Sequence, residues 1–165
     1  NISSSPSKFD NDQLLFWQKK AIENLKIEEF IHWLSEPLKD LPPYIDKQEF
    51  VELIRENVNF PQEAGDYLVN IFFNPLDKKD DITEIIKSAG QEFYIKACDT
   101  LLSGLSGWNE ITQEIGKRSG KKGKELFMPL RAAITGQTKG PELDKVVEFL
   151  GTERVVERLK EASKL

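Results

Sequence analysis

Lys117, Arg118, Lys121, Lys122 and Lys124 place five cationic side chains in eight residues with no carboxylate among them, beside Gly116, Gly120 and Gly123. Glycines leave such a segment conformationally free, and a helix opening after it presents unpaired backbone N–H groups. The chemistry on offer is a grip on phosphate oxygens; the plainer alternative is a solvated turn. Arg131 stands between Leu130 and Ala132 in an apolar stretch, where an unpaired guanidinium is costly to bury. It either closes an internal ion pair with a carboxylate or turns its planar donors to a base edge or a phosphate. The connection Gly136-Gln137-Thr138-Lys139-Gly140-Pro141 follows it closely, as a bare turn or as part of the same site. Phe60, Tyr67, Tyr94 and Trp108 are the aromatics that either stack on unpaired bases or belong to the core.

Other chemistries lack residues. The chain has one histidine, His32, and one cysteine, Cys98, so neither a zinc site nor a Cys/His nucleophile pair assembles. Carboxylates fall at helix starts and on polar faces, which gives acid/base catalysis no support. No glycine-rich phosphate motif follows a strand pattern. We therefore expect no catalytic residue and no metal site.

The elements that carry these residues read as helices throughout. Apolar side chains recur at helical spacing, as in Phe50, Val51, Ile54 and Val58, and caps mark the starts. Asp10 with Gln13 forms a capping-box pair ahead of Leu14, Trp17, Ala21 and Leu25, and Pro37 ends a second helix holding Phe30, Ile31 and Leu34. Asp46 with Glu49 opens a third, Pro61 takes a first helical position, and Asp81 with Glu84 caps a later one. The spacing predicts a helix from near Pro129 to Gly136, another opening at Pro141, and a last one capped by Thr152. Asn74-Pro75-Leu76-Asp77-Lys78-Lys79-Asp80 interrupts the periodicity. The expected architecture is all-α, with two small helical subdomains, residues 1–76 and 77–165.

With 165 residues and 39% hydrophobic content, the chain is able to bury about 70% of its unfolded surface. The formal net charge of −5 disfavours indiscriminate nucleic-acid binding, whereas one cationic patch on an anionic body orients a polyanion. No apolar run approaches the roughly 18 residues of a membrane span, and a lone cysteine fits a reducing, cytoplasmic setting. The start, Asn1-Ile2-Ser3-Ser4-Ser5-Pro6, lacks an initiator Met and reads as a processed or excised piece.

Lys-Gly-x-x-Leu-Phe-x-Pro-Leu-Arg-x-Ala-x-Thr-Gly from Lys122 to Gly136, with Gly140-Pro141-Glu142-Leu143 and then Leu150-Gly151-x-Glu153-Arg154-Val155-x-x-Arg158-Leu159, resembles the C-terminal anticodon-binding region of bacterial-type glutamyl-tRNA synthetases. Ser5-Pro6-Ser7-Lys8-Phe9-Asp10 is similar to the family's segment after its catalytic body, and Leu102-Ser103-Gly104-x-Ser106-Gly107-Trp108 falls where the family has its tryptophan-led helix. The resemblance implies a cage of two helical subdomains around splayed anticodon bases. It implies the partner tRNA(Glu), the catalytic domain of the same chain as neighbour, and a monomer. ATP and Mg would bind that catalytic domain, not this region, whose signature His-Ile-Gly-His and Lys-Met-Ser-Lys-Ser segments do not occur here. Arg131 would then contact a base edge or phosphate, and Gly140, Pro141, Glu142 and Leu143 would shape a base pocket. From charge rather than resemblance, Lys117, Arg118, Lys121, Lys122 and Lys124 would hold the anticodon-stem backbone. Two departures stand out. Arg55 is offset by about two residues from the family's arginine for the last anticodon base, and Phe16-Trp17-Gln18-Lys19-Lys20-Ala21 replaces Trp-x-Asn-x-x-Tyr. A helical protein-interaction domain with no RNA role is the alternative reading.

Overall fold

A computed structural model describes residues 11–73 and 80–165. The described residues are all-α, without strands. The order is α1 (Asn11–Glu23), α2 (Ile27–Trp33), α3 (Lys47–Ile54), α4 (Pro61–Leu68), α5 (Asp80–Ala89), α6 (Gln91–Leu101), α7 (Trp108–Ser119), α8 (Lys124–Thr135), α9 (Leu143–Leu150) and α10 (Thr152–Ala162). Short 3-10 turns at Pro37–Asp40 and Arg55–Asn57 and a π turn at Val69–Phe73 complete it.

Local chemistry accounts for several boundaries. The Asp46 carboxylate accepts the Glu49 N–H at 2.9 Å and caps α3, while Pro61 occupies the first turn of α4, where its missing N–H costs nothing. α8 stops at Gly136, whose φ of 64° is left-handed and whose N–H donates to the Ala132 carbonyl at 2.9 Å.

Three boundaries differ from the sequence reading. α8 begins at Lys124, so Pro129 lies inside the helix. It has no N–H to donate to the Glu125 carbonyl one turn back, and its own carbonyl accepts from the Tyr94 hydroxyl of α6 at 3.4 Å. α9 begins at Leu143, two residues beyond Pro141, since the Pro141 carbonyl is engaged by Arg131. Thr152 is the first residue of α10, and Gly151 takes the cap position. The Asp10 cap and residues 74–79 of the interruption lie outside the described residues.

The apolar side chains form two clusters. One gathers Phe30, Leu34, Phe50, Val51, Ile54, Ala64 and Leu68 from α2, α3 and α4. The other gathers Ile86, Tyr94, Ala97, Ile115, Leu130, Ile134, Val146, Val155 and Leu159 from α5 through α10. Leu53, Tyr67 and Phe72 touch both. Phe50, Phe72 and Phe149 close the join as a ring triangle with centroid separations of 5.8, 6.2 and 5.5 Å, each pair worth about 0.5–1.5 kcal/mol beyond its buried area. α1 contributes only Ile22 to the cores; Leu14 and Trp17, which the helical spacing grouped with Ala21 and Leu25, are exposed, as is Phe16. No helix among the described residues is long and apolar enough to cross a membrane.

Candidate nucleic-acid interface

Arg131 lies two turns into α8, and its side chain is half-buried. Nη1 donates to the Pro141 carbonyl at 2.9 Å, so the guanidinium spans the mouth of the 136–142 turn. No carboxylate stands within ion-pair distance of it among the described residues, which removes the internal salt bridge as an explanation. Burial lowers its proton affinity, partly offset by the nearby Tyr67 oxygen. Thr135 Oγ1 donates to the Arg131 carbonyl at 2.8 Å and accepts the Gln137 N–H at 3.2 Å, which holds the first half of the turn.

Tyr67, on α4, faces this turn from the other core. A Cβ placed on Gly140 would stand 3.2 Å from Tyr67 Cε1 and 3.6 Å from its hydroxyl, and Gly140 itself has φ of 142°. Only glycine allows both the backbone shape and the approach of the ring. Burial and the Glu63 carboxylate push the Tyr67 phenol above its ordinary value, while Arg131 pulls it back. Pro141 and Leu143 are buried beneath the turn. Glu142 is exposed and pairs with Lys145 at 3.0 Å.

Arg55 reaches the same region from the first core. With Gly140, Lys19 and Lys145, and the carboxylates of Glu23, Glu52, Glu56 and Glu142, it lines a cleft of about 690 Å³ that is not cationic overall. Its Nη2 donates to the carbonyls of Leu25 and Glu23, and its guanidinium lies 5.5 Å from the Phe30 ring centroid. That fork therefore caps the C-terminal end of α1, a favoured place for a cation.

The cationic segment is elsewhere. Lys117 and Arg118 end α7 and lean on Glu114 at 4.0 and 3.5 Å, and Arg118 also donates to Thr100 Oγ1 at 3.2 Å. Lys121 Nζ sits 5.8 Å from the Phe93 centroid. Lys122 and Lys124 are exposed. Lys124 opens α8, seven residues before Arg131, or about 10 Å along the axis. The structure thus unites Arg131, Gly140, Pro141, Glu142 and Leu143 around one turn, leaves Arg55 in the cleft that Gly140 and Glu142 also line with its guanidinium turned to the end of α1, and sets the lysines at the opposite end of α8.

Of the aromatics, Tyr94 is wholly buried, Trp108 borders a separate hollow with Leu105 and Thr152, and Phe60 is 45% exposed at the start of α4. Tyr67 alone of the four adjoins Gly140. His32 is exposed, and Cys98 is buried with its thiol raised by desolvation. No grouping of three metal-ligating side chains occurs among the described residues. Sequence reasoning gave no role to Arg158, which is buried and donates to the carbonyls of Ile134 and Ile71. Its signals are its place in the Leu150-to-Leu159 motif and its position beside Leu159 on the apolar side of α10 with Val155 and Ala162.

A family model described as anticodon binding domain matches residues 26–163. Glutamate--tRNA ligase 1 of Halorhodospira halophila is 40% identical over 164 residues, covering 99% of this chain and 34% of the relative. Glutamate--tRNA ligase 1 of Methylococcus capsulatus is 34% identical over 160 residues, covering 97% and 34%. The chain spans about a third of the length of these relatives. A crystal structure of a glutamate tRNA ligase from Elizabethkingia meningosepticum shares the fold with a TM-score of 0.74 at 15% identity, over 94% of this chain and 32% of that one. Glutamate-tRNA synthetase from Elizabethkingia anophelis does so with a TM-score of 0.71 at 16% identity, over 95% and 32%.

Proposed function

The chain belongs to the anticodon binding domain family, and on that basis we propose that it is the anticodon-recognition region of a glutamate–tRNA ligase. It binds tRNA(Glu) by its unpaired anticodon bases and holds it for chemistry located in a separate catalytic domain of the same polypeptide. That domain attaches glutamate with ATP and Mg; the residues described here bind and orient. The assembly acts as a monomer in the cytoplasm.

The observation that supports this reading best is the half-buried, carboxylate-free guanidinium of Arg131 on a turn that both cores face. With Nη1 held by Pro141, the rest of the planar fork keeps a set direction, which suits it to a base edge rather than to a diffuse charge. Tyr67 brings its ring edge to the same turn, and a base stacked on that ring would gain about 1–3 kcal/mol. Lys121, Lys122 and Lys124 act on the phosphate backbone, a contribution without base information.

The test is fluorescence anisotropy with labelled anticodon stem-loops, one carrying the tRNA(Glu) loop and others with single loop-base changes. The reading requires preferential binding of the first at moderate salt. Equal binding of all loops, or capture of a protein partner with no affinity for RNA at low salt, would remove it.

A further inference from the structure

Arg158 is 6% exposed, and its two terminal nitrogens are divided between two distant carbonyls, Nη1 on Ile134 and Nη2 on Ile71. No carboxylate pairs with it among the described residues. Burying a charge in this way costs several kcal/mol unless something compensates. Helix ends supply the compensation. Ile134 lies in the last turn of α8, where carbonyls lack intrahelical partners and the helix dipole is negative, and Ile71 lies in the π turn that follows α4.

The two carbonyls are placed with respect to the candidate site. Ile71 follows Tyr67 by four residues and Ile134 follows Arg131 by three, so each lies one turn beyond a residue that faces the 136–142 turn. One guanidinium therefore joins the π turn that continues the Tyr67 helix to the end of the helix that carries Arg131, with Ile71 and Ile134 both in the core built from α5 through α10. Resting on the RNA-binding reading above, we propose that Arg158 is a positioning residue that sets the spacing of Tyr67 and Arg131 and so the shape of the base pocket, without touching RNA. A planar fork is needed for this, because two carbonyls on separate helices must be met at once; a lysine has the charge but one nitrogen.

The experiment uses Arg158→Lys and Arg158→Met, with circular dichroism establishing the folded state at the assay temperature. The ratio of affinities for stem-loops differing at one loop base should fall by about 2- to 30-fold in both variants, the range that a substitution outside a site transmits. The salt slope of binding should stay unchanged. In RNA-free samples, the Arg131 Nε–Hε and Tyr67 ring NMR signals should shift in Arg158→Lys. A lower melting temperature with the parent ratio and unmoved NMR signals makes Arg158 a plain staple and overturns the proposal. If the parent chain itself fails to distinguish the loops, the RNA reading falls, and the NMR comparison alone decides whether Arg158 sets the spacing.

Discussion

Tyr67 and Gly140 meet at the join of the two cores, with the Tyr67 ring edge 3.2 Å from where a Cβ on residue 140 would be. The contact couples a helix of one core to the turn that Arg131 spans in the other, and it leads to the first prediction. Gly140→Ala combines a left-handed backbone with a crowded neighbour, each of which costs on the order of 1–3 kcal/mol. We expect a lower urea midpoint and weaker stem-loop binding together. A midpoint equal to the parent's would show that the turn yields freely.

Arg131→Ala should weaken binding of the tRNA(Glu) stem-loop by about 1–3 kcal/mol, the span for a side chain that reads a base. Arg131→Lys should fall nearly as far, because charge is retained while the fork is lost. The measurement is the dissociation constant for matched and mismatched loops. A Lys variant indistinguishable from the parent would reduce Arg131 to a point charge.

Replacing Lys121, Lys122 and Lys124 by Gln should flatten the plot of log affinity against log salt by about two units, since each phosphate contact contributes about 0.7–0.9. Discrimination between loops should persist, as these lysines sit at the other end of α8 from Arg131. Loss of discrimination with an unaltered slope would reverse the assigned roles.

Alkaline pH provides a fourth test. Tyr94 is buried, and desolvation holds its phenol well above the ordinary value of 10.0; burial raises Tyr67 in the same sense. The folded chain keeps protons that the unfolded chain releases, so this contribution is whole below pH 10 and declines as pH rises beyond it. Arg158 acts in the opposite direction over the same window, because burial brings it down to about 10 from 12.5 and the unfolded chain holds that proton longer. Comparison with Tyr94→Phe isolates the phenol. The variant should lose stability less steeply above pH 10 while differing by under about 1 kcal/mol at neutral pH, given the 3.4 Å hydroxyl contact. Parallel stability curves for the two proteins would exclude Tyr94 as a source of the alkaline decline.

Much of the site was legible in outline. Arg131 stood out because a charge inside an apolar run requires a partner, and the two-glycine connection after it marked a turn. The partner was not legible: a carboxylate was the obvious choice, and the structure supplies the Pro141 carbonyl. The cationic segment looked contiguous with Arg131 along the chain, yet α8 holds the two apart. Arg55 was found through resemblance, but the pairing of its fork with Leu25 and Glu23 became visible only once α3 had packed against the end of α1.

From the residues alone came the helical class, the cap at Asp46, the stop at Gly136 and the separation of a cationic segment from an anionic body. Each depends on interactions within about one turn of chain, which composition and spacing encode directly. The tertiary structure decided that Tyr67 faces Gly140 and that Arg158 joins Ile71 to Ile134, across separations of 73 and 87 residues in the former contact and the longer arm of the latter. The first pairing follows from how two cores settle against each other and the second from how α10 packs within one of them, and helical periodicity specifies which face of a helix is buried without specifying what it is buried against.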